Sequence, residues 1–383
     1  MKIAFLLPVV SDARAHKRIS GLKTLGAQPA VLAFERKYYK GKDLPGGYIT
    51  LGQIEHSRYH KRLIPFLKAL LKVRAAVKKT DVIYAFGLDM LLLGWLACLG
   101  PARPFTAVYE VADIREVLLE KGLLSRCLRR LERFLLRRAK FIVVTSERYI
   151  SGYYQEIQGL TDLRYLVVEN KIDPATTVKA PAIPRRQNGS ILKIGYFGVI
   201  RCRRSLDILK QAALQSSGRV QVYLRGFPLG VGSLEKVVQS PAVTYGGAYV
   251  APDDLPDLYG QVDLVWACYP YLGNVTGNHC WARTNRFYES CYFKKPMLAQ
   301  EGTEDGRIIE ALGLGLCLDL ADDQAAVERI LSITSQELDR WQGNISHLNQ
   351  KIYIMTNEHT RLWEMLTREF SGHIQGAPNE LDD

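Results

Sequence analysis

The sequence predicts an α/β protein with two doubly wound parallel sheets. Three observations carry that expectation. Short apolar runs of strand length alternate with helical segments along most of the 383 residues, the pattern of a parallel sheet covered on both faces. The alternation lapses once, in the Pro-, Ala- and Thr-rich stretch 173–190, and then restarts. Charge divides near the same place. Residues 1–180 hold 31 Lys and Arg against 16 Asp and Glu, a net of +15, and residues 181–383 hold 20 against 23, a net of −3.

The elements follow in order. Lys2–Val10 is a continuous apolar run of buried-strand length. Ser11 and Asp12 open a helix carrying Arg14, Lys17 and Arg18 that ends near Gly26, and Pro29–Phe34 is the second strand of a βαβ unit. Asp81–Phe86, Thr106–Val111, Phe141–Thr145 and Leu166–Glu169 continue the sheet, with a helix over Leu91–Leu99. Ser11–Arg14, Gly87, Asp113, Ser146 and Asn170 fall at carboxyl ends of strands, where open sheets bind ligands. Beyond the linker, strands are expected at Leu192–Phe197, Val220–Arg225, Val243–Tyr245, Leu264–Cys268, Met297–Ala299 and Gly315–Leu318. Helices are expected at Arg204–Ser216 and Pro252–Tyr259, and residues 324–370 read as mostly helical. No short period repeats.

Composition narrows the function classes. The chain is 47% hydrophobic and 23% charged, with a net charge of +12, so it is globular. The basic excess of the first half suggests a polyanionic partner, nucleic acid or an anionic membrane surface. The seven cysteines, at 98, 127, 202, 268, 280, 291 and 317, form no C-x-x-C pair. They read as buried thiols in a reducing compartment, not as a disulfide framework or a zinc site. The first residues resemble a signal peptide, but the apolar core is short, broken by Pro8 and followed by charge. Met90–Gly100 is too short to span a bilayer.

The stretch Arg283–Pro296, R-T-N-R-F-Y-E-S-C-Y-F-K-K-P, organises the second half. Thr284 or Asn285 caps a short helix, and Pro296 stops it. Phe287, Cys291 and Tyr288 fall on one face, and Glu289 on another. A helix start attracts phosphate, and a carboxylate one turn along accepts from ribose hydroxyls. The competing reading is a surface helix with a solvated Glu. A second motif is Gly195–Ser205, G-Y-F-G-V-I-R-C-R-R-S. Gly198 allows close backbone approach, and arginines grip a diphosphate bidentately. Arg201, Arg203 and Arg204 cannot all point one way, and Arg201 and Arg204 are favoured. No G-x-G-x-x-G follows the first strand and no G-x-x-x-x-G-K-[ST] occurs, against a dinucleotide oxidoreductase or a P-loop enzyme. There is no D-x-D motif for a metal-bridged sugar nucleotide.

In order, G-Y-F-G-V-I-R with R-S-L-D-I-L, Y-G-G-A-Y-V-A-P-D-D-L-P-D-L-Y, V-D-L-V-W-A-C-Y-P and N-R-F-Y-E-S-C-Y-F-K-K-P-M-L-A resemble the donor half of family 4 glycosyltransferases. The first half is similar more loosely, through S-D-A-R-A-H-K-R-I, V-Y-E-V-A-D-I-R and V-V-E-N-K-I-D. The resemblance covers about residues 1–320. It implies the GT-B architecture, two Rossmann-like domains facing across a cleft: an acceptor domain at 1–178, a nucleotide-sugar domain at 179–345, a helical segment 346–370 returning to the first domain, and a loose tail 371–383. It implies a hexosyltransferase of the retaining kind in bacterial surface-polysaccharide assembly, with no cofactor beyond the nucleotide-sugar co-substrate. The resemblance further implies that Glu289 lies on the ribose and Arg201 and Arg204 near the diphosphate. The donor-binding set is Gly198, Arg201, Arg204, Asn285, Arg286 and Glu289.

Two positions depart from the family's pattern. Trp281 stands where a first glutamate is common, and Ala112 where a histidine precedes Asp113. His279, Arg283 or Asp113 is the substitute, and Arg14, His279 and Arg283 are the sugar or acceptor contacts. The expected chemistry needs no metal. Arg201, Arg204 and the helix start at Asn285 stabilise the charge growing on the departing diphosphate, and closure between the domains excludes water. Asp113 orients or deprotonates the acceptor hydroxyl; the competing role is an N-cap before Ile114–Glu120. Rival readings are a GT-B relative that binds a nucleotide sugar without transfer, and a polyanion-binding protein. Nucleic acid is not expected as a partner, because no binding module is recognisable.

A lipid-linked saccharide acceptor and peripheral attachment to the inner face of the cell membrane complete the expectation. Segment 60–79 places Leu63, Phe66, Leu67, Leu70 and Leu71 among basic residues, including Lys61, Arg62, Lys68 and Lys72. Segment 121–140 places Leu124, Cys127, Leu128, Leu131, Phe134 and Leu135 on one face, flanked by arginines. Such helices suit an anionic interface. For the second segment the competing expectation is that the apolar face packs on the sheet.

Overall fold

A computed structural model describes residues 1–35, 46–53, 63–100, 104–175, 177, 191–232, 234, 238, 240–273 and 276–370. The expected linker from 178 to 190, the tail 371–383, Lys61 and Arg62 lie outside the described residues. The chain divides into two compact units, one of residues 1–169 with 356–383 and one of residues 170–355. The first boundary therefore falls before the Pro-rich stretch, not at 178. The reason is local. Ile172 forms a parallel bridge with Ile354, donating its N–H to the Tyr353 carbonyl and accepting from the Met355 N–H, which ties 170–175 to the second unit. The return to the first unit falls at 355/356.

The first unit holds a seven-stranded, all-parallel sheet. Its strands are β1 (Lys2–Leu7), β2 (Gln28–Glu35), β3 (Ile49–Gln53), β4 (Val82–Phe86), β5 (Ala107–Val111), β6 (Phe141–Val144) and β7 (Tyr165–Val167), in the order β3-β2-β1-β4-β5-β6-β7. The strand order reverses at β1 and β4, so a crevice opens at their carboxyl ends. Helix α1 (Ala13–Thr24) and α12 (Glu358–Phe370) cover one face, where Ile19, Leu22, Leu362 and Leu366 pack on Phe5, Leu7 and Tyr84. Helix α3 (Leu88–Ala97) covers the other, with Gly94 close against Leu6 and Ile83. Helices α2 (Leu63–Val77) and α4 (Leu123–Leu136) pack beside α3. Burial on both faces explains why these strands read as unbroken apolar runs.

Helix α4 meets the inward-packing expectation for its segment only in part. Its buried residues are Ser125, Glu132, Leu135 and Leu136, while Leu123 is 75% and Leu124 64% exposed. Glu132 lies inside because four donors meet its carboxylate. The hydroxyls of Tyr109, Tyr153 and Tyr154 reach it at 3.0, 2.6 and 3.2 Å, and Gln158 Nε2 at 2.6 Å. Three of these partners come from or beside the π-helical segment Tyr149–Gln155. Burial pushes the Glu132 pKa up, against the pull of those donors. The expected helix at 114–120 is only a 3-10 turn, Glu116–Leu118, preceded by Arg115, so Asp113 is not its cap.

The second unit holds six parallel strands: β8 (Leu192–Ile200), β9 (Val220–Pro228), β10 (Val243–Tyr245), β11 (Leu264–Trp266), β12 (Met297–Gln300) and β13 (Gly315–Leu318), in the order β10-β9-β8-β11-β12-β13. Helices α5 (Arg203–Gln215), α10 (Asp323–Leu331) and α11 (Ser335–His347) pack Leu206, Leu209, Val327 and Trp341 on the face carrying Tyr196 and Trp266. On the other face lie α6 (Leu255–Gly260), α8 (Asn285–Tyr292) and α9 (Glu304–Leu312). The short α7 (Asn278–Trp281) precedes α8. The order reverses between β8 and β11, and the second crevice opens there.

Candidate functional site

Helix α8 starts at the crevice of the second sheet, and its first turn is tied down at several points. Thr284 is the N-cap, its Oγ1 accepting from Phe287 N at 3.2 Å. Asp305, on α9, accepts the Thr284 N–H through Oδ2 at 2.9 Å and Arg283 Nε through Oδ1 at 2.9 Å. Arg283 and Asp305 are both nearly buried, and the Arg283 guanidinium lies 4.2 Å from the Phe287 ring centroid. Burial raises the Asp305 pKa, while Arg283 and Thr284 oppose the rise. Asn285, exposed at the first position, accepts from Asn170 Nδ2 at 2.6 Å. Phe287, Tyr288 and Cys291 anchor the helix in the core.

Glu289 is half-buried one turn on. Its Oε2 accepts from the Tyr259 hydroxyl at 2.7 Å. Arg286 donates to the carbonyls of Trp266 and Cys268, at 3.1 and 2.9 Å, and so binds α8 to the end of β11. His279 and Trp281 are buried in α7.

The β8 loop approaches the same strand end. Gly198 has φ +101° and lies opposite Gly226 on β9, which has φ +134°. A Cβ at Gly226 would fall 1.8 Å from the Gly198 carbonyl oxygen, so glycine there is a requirement of close backbone approach. Beyond the loop the three arginines diverge. Arg203 pairs with Asp207 on its own helix. Arg204 donates from Nε to Asp323 at 2.5 Å and from Nη2 to the Ala321 carbonyl at 3.2 Å. Arg201 is exposed, its guanidinium 5.2 Å from the ring centroid of Tyr269 just past β11. Thus the end of β11 gathers Arg201 from the β8 loop and Arg286 from α8. Such a cradle of cation, helix start and carboxylate fits a phosphorylated ribose.

A second polar cluster stands at the β1–β4 crevice of the first unit. Asp12 caps α1, accepting from Arg14 N at 3.0 Å, and pairs with the Arg14 guanidinium at 3.0 Å. Burial opposes the charge of Arg14, but Asp12, Asp113 and Glu110 outweigh it and hold its pKa above the ordinary value. Burial likewise opposes the charge of Asp12, yet Arg14 holds its pKa low. Asp113 itself is exposed. Beneath them Arg18 and Glu110 form a fully buried ion pair at 3.3 Å. Tyr84 donates to Glu110 Oε2 at 2.5 Å, and Arg18 Nη2 to the Val168 carbonyl at 2.5 Å.

The structure therefore brings Arg201, Asn285, Arg286 and Glu289 to elements at one sheet end, turns Arg204 and Arg283 onto carboxylates, and groups Arg14 with Asp113. Sequence reasoning missed Asp305, Tyr259 and Gly226. Gly226 alone left a local signal, a glycine at the carboxyl end of a strand.

No known family profile matches the chain. It is similar to the succinoglycan biosynthesis protein ExoL of Rhizobium meliloti (strain 1021), 29% identical over 335 residues that cover 84% of this chain and 82% of that protein. Among solved structures, sucrose-phosphate synthase from Thermosynechococcus elongatus superposes with a TM-score of 0.70 at 13% identity, over 97% of this chain and 100% of the other. Anabaena HepE, solved with UDP and glucose, gives 0.68 at 17% identity over 96% and 99%. WaaG, described as a glycosyltransferase involved in lipopolysaccharide biosynthesis, gives 0.65 at 17% over 95% and 99%. With its two parallel sheets, the chain has the GT-B fold.

Proposed function

We propose that the chain is a glycosyltransferase, moving a sugar from a nucleoside-diphosphate sugar to a saccharide acceptor in polysaccharide assembly. The observation that carries this reading is the convergence at the β8–β11 crevice of Arg201, the capped start of α8, and a Glu289 already hydrogen-bonded by Tyr259. The likeness to ExoL and to HepE, which was solved with UDP, supports it.

In this mechanism the nucleotide lies across the start of α8, its diphosphate against Arg201 and its ribose on Glu289. Negative charge grows on the departing diphosphate, and the guanidinium and helix start stabilise it more in the transition state than in the bound donor. Gly198, backed by Gly226, lets the backbone come close. Arg204 contributes only after leaving Asp323. Asp113, beside Arg14, orients or deprotonates the acceptor hydroxyl. The reaction is metal-independent and retaining.

The acceptor in this reading is lipid-linked, and the first unit docks on an anionic, cytoplasmic membrane face. The exposed leucines of α4, Leu123 and Leu124, stand beside exposed Arg126 and Arg130. On α2, Leu67 and Leu71 are exposed beside Lys68 and Lys72. Leucine among cations is the composition of an interfacial helix. Among the described residues no helix is long and apolar enough to cross a membrane.

A panel of nucleoside diphosphates and their sugar conjugates tests the reading. Thermal stabilisation by a diphosphate but not by oligonucleotides is expected, followed by sugar transfer or slow donor hydrolysis. Stabilisation without turnover on any acceptor extract would favour the non-catalytic relative.

A further inference from the structure

Tyr259 is fully buried, yet its hydroxyl ends on a half-exposed carboxylate. The ring stacks on Phe293 at 4.8 Å between centroids and meets Phe197 edge-on at 5.2 Å. Leu255, Leu258, Val262 and Val265 close the cluster around it. The ring is thus held by β8, α6, β11 and the turn after α8, and its hydroxyl has a fixed place, 2.7 Å from Glu289 Oε2. Burial raises the Tyr259 pKa, and the Glu289 charge raises it further, so at neutral pH the phenol keeps its proton and donates.

We propose that Tyr259 is a positioning residue that makes Glu289 a selective clamp for a ribonucleotide, so that donor binding depends on the intact 2′,3′-diol of the ribose. This rests on the nucleotide-sugar reading of the site. A glutamate has three side-chain torsions, and ordering them at the moment of binding costs entropy. The Tyr259 bond removes part of that cost beforehand. It takes one of the carboxylate's four acceptor positions and sets the plane of the others. A vicinal diol presents two donors at fixed spacing and gains from a carboxylate fixed in plane. A ribose lacking those hydroxyls leaves a desolvated carboxylate without the donors it is built for, the arrangement that discriminates most strongly.

The test is a titration calorimetry cycle on the full chain. UDP, ADP and GDP are screened, and the tightest binder is compared with its 2′,3′-dideoxy counterpart, for the wild type, Tyr259→Phe and Glu289→Ala. Tyr259→Phe keeps the stacked ring and loses only the hydroxyl. For the ribonucleotide it should weaken binding by about five- to tenfold, the cost of ordering one rotamer-rich side chain at the moment of binding. For the dideoxynucleotide it should change binding by less than about twofold, because the diol whose binding it assists is gone. A purely structural tyrosine would weaken both alike, and that result overturns the proposal. Equal affinity of Tyr259→Phe and wild type for the ribonucleotide overturns it too. If no diphosphate binds the wild type, or Glu289→Ala leaves the ribo-to-dideoxy ratio unchanged, the failure belongs to the site assignment itself.

Discussion

Arg204 Nε lies 2.5 Å from Asp323 Oδ1, whereas Arg201, three residues earlier, lies exposed against Tyr269. Two arginines of one loop thus start from different states. An arginine that must first break an ion pair contributes less to a developing charge than one already at the strand end. Arg201→Ala should lower turnover by about 10²–10³-fold, as for a lost oxyanion donor. Arg204→Ala should lower it by less, and should change stability by under about 1 kcal/mol, because the pair with Asp323 is largely solvated. Steady-state rates and urea melts of both variants check this ordering, and a larger loss at Arg204 would reverse it.

Asp305 should matter to folding as much as to the donor. It joins Arg283 and the Thr284 N–H, both nearly buried. Asp305→Ala leaves Arg283 buried without its counter-charge and should destabilise the chain by roughly 3–5 kcal/mol. Denaturant unfolding measures it. A loss below about 1 kcal/mol would mean that the pair is solvated in solution.

Much of the fold was legible because a strand buried on both faces must be apolar throughout, as in Val82–Phe86 and Phe141–Val144. The cap at Thr284 was legible because capping is local. Asp305 was not, since its partner Arg283 is distant in sequence and nothing near either residue marks the pair. Tyr259 read only as the end of the expected helix Pro252–Tyr259; its hydroxyl acquires a role through Glu289, brought near by tertiary packing. Helix α4 met the inward-packing expectation only in part for the same reason. Its leucines imply an inward face, but Tyr109, Tyr153, Tyr154 and Gln158 arrive from elsewhere and draw Glu132 inside.

Glu132 gives a pH signature. Its folded pKa is raised above the ordinary 4.5 by burial. The folded state therefore binds its proton more tightly than the unfolded chain does. That stabilisation is fully present below the unfolded value and is lost as pH rises through the folded one. Glu132→Gln cannot titrate. Relative to the wild type, its stability should improve steadily as pH climbs from about 4.5 upward. Unfolding curves across that range check the slope, and parallel curves would show that burial does not shift Glu132.

The outward leucines of α4 make the membrane reading testable. Leu123→Glu with Leu124→Glu should leave the melting temperature within a few degrees, because both side chains are already exposed. Flotation on vesicles containing anionic lipid should fall, and Lys68→Glu with Lys72→Glu should lower it further. Recovery in the soluble fraction regardless of lipid would reject membrane docking while leaving the donor site untouched.

The most direct measurement is transfer of labelled sugar from the nucleotide sugar identified in the screen, by wild type and by Glu289→Ala. Glu289 is half-buried on the surface of α8 and its removal deletes no core packing. The variant leaves the buried Tyr259 hydroxyl without this acceptor and should fold but melt a few degrees lower, while it should need at least about tenfold more donor for half-maximal rate, the loss of hydrogen bonds to a charged group. Transfer by Glu289→Ala with unchanged donor dependence would contradict the assignment of this crevice as the nucleotide-sugar site.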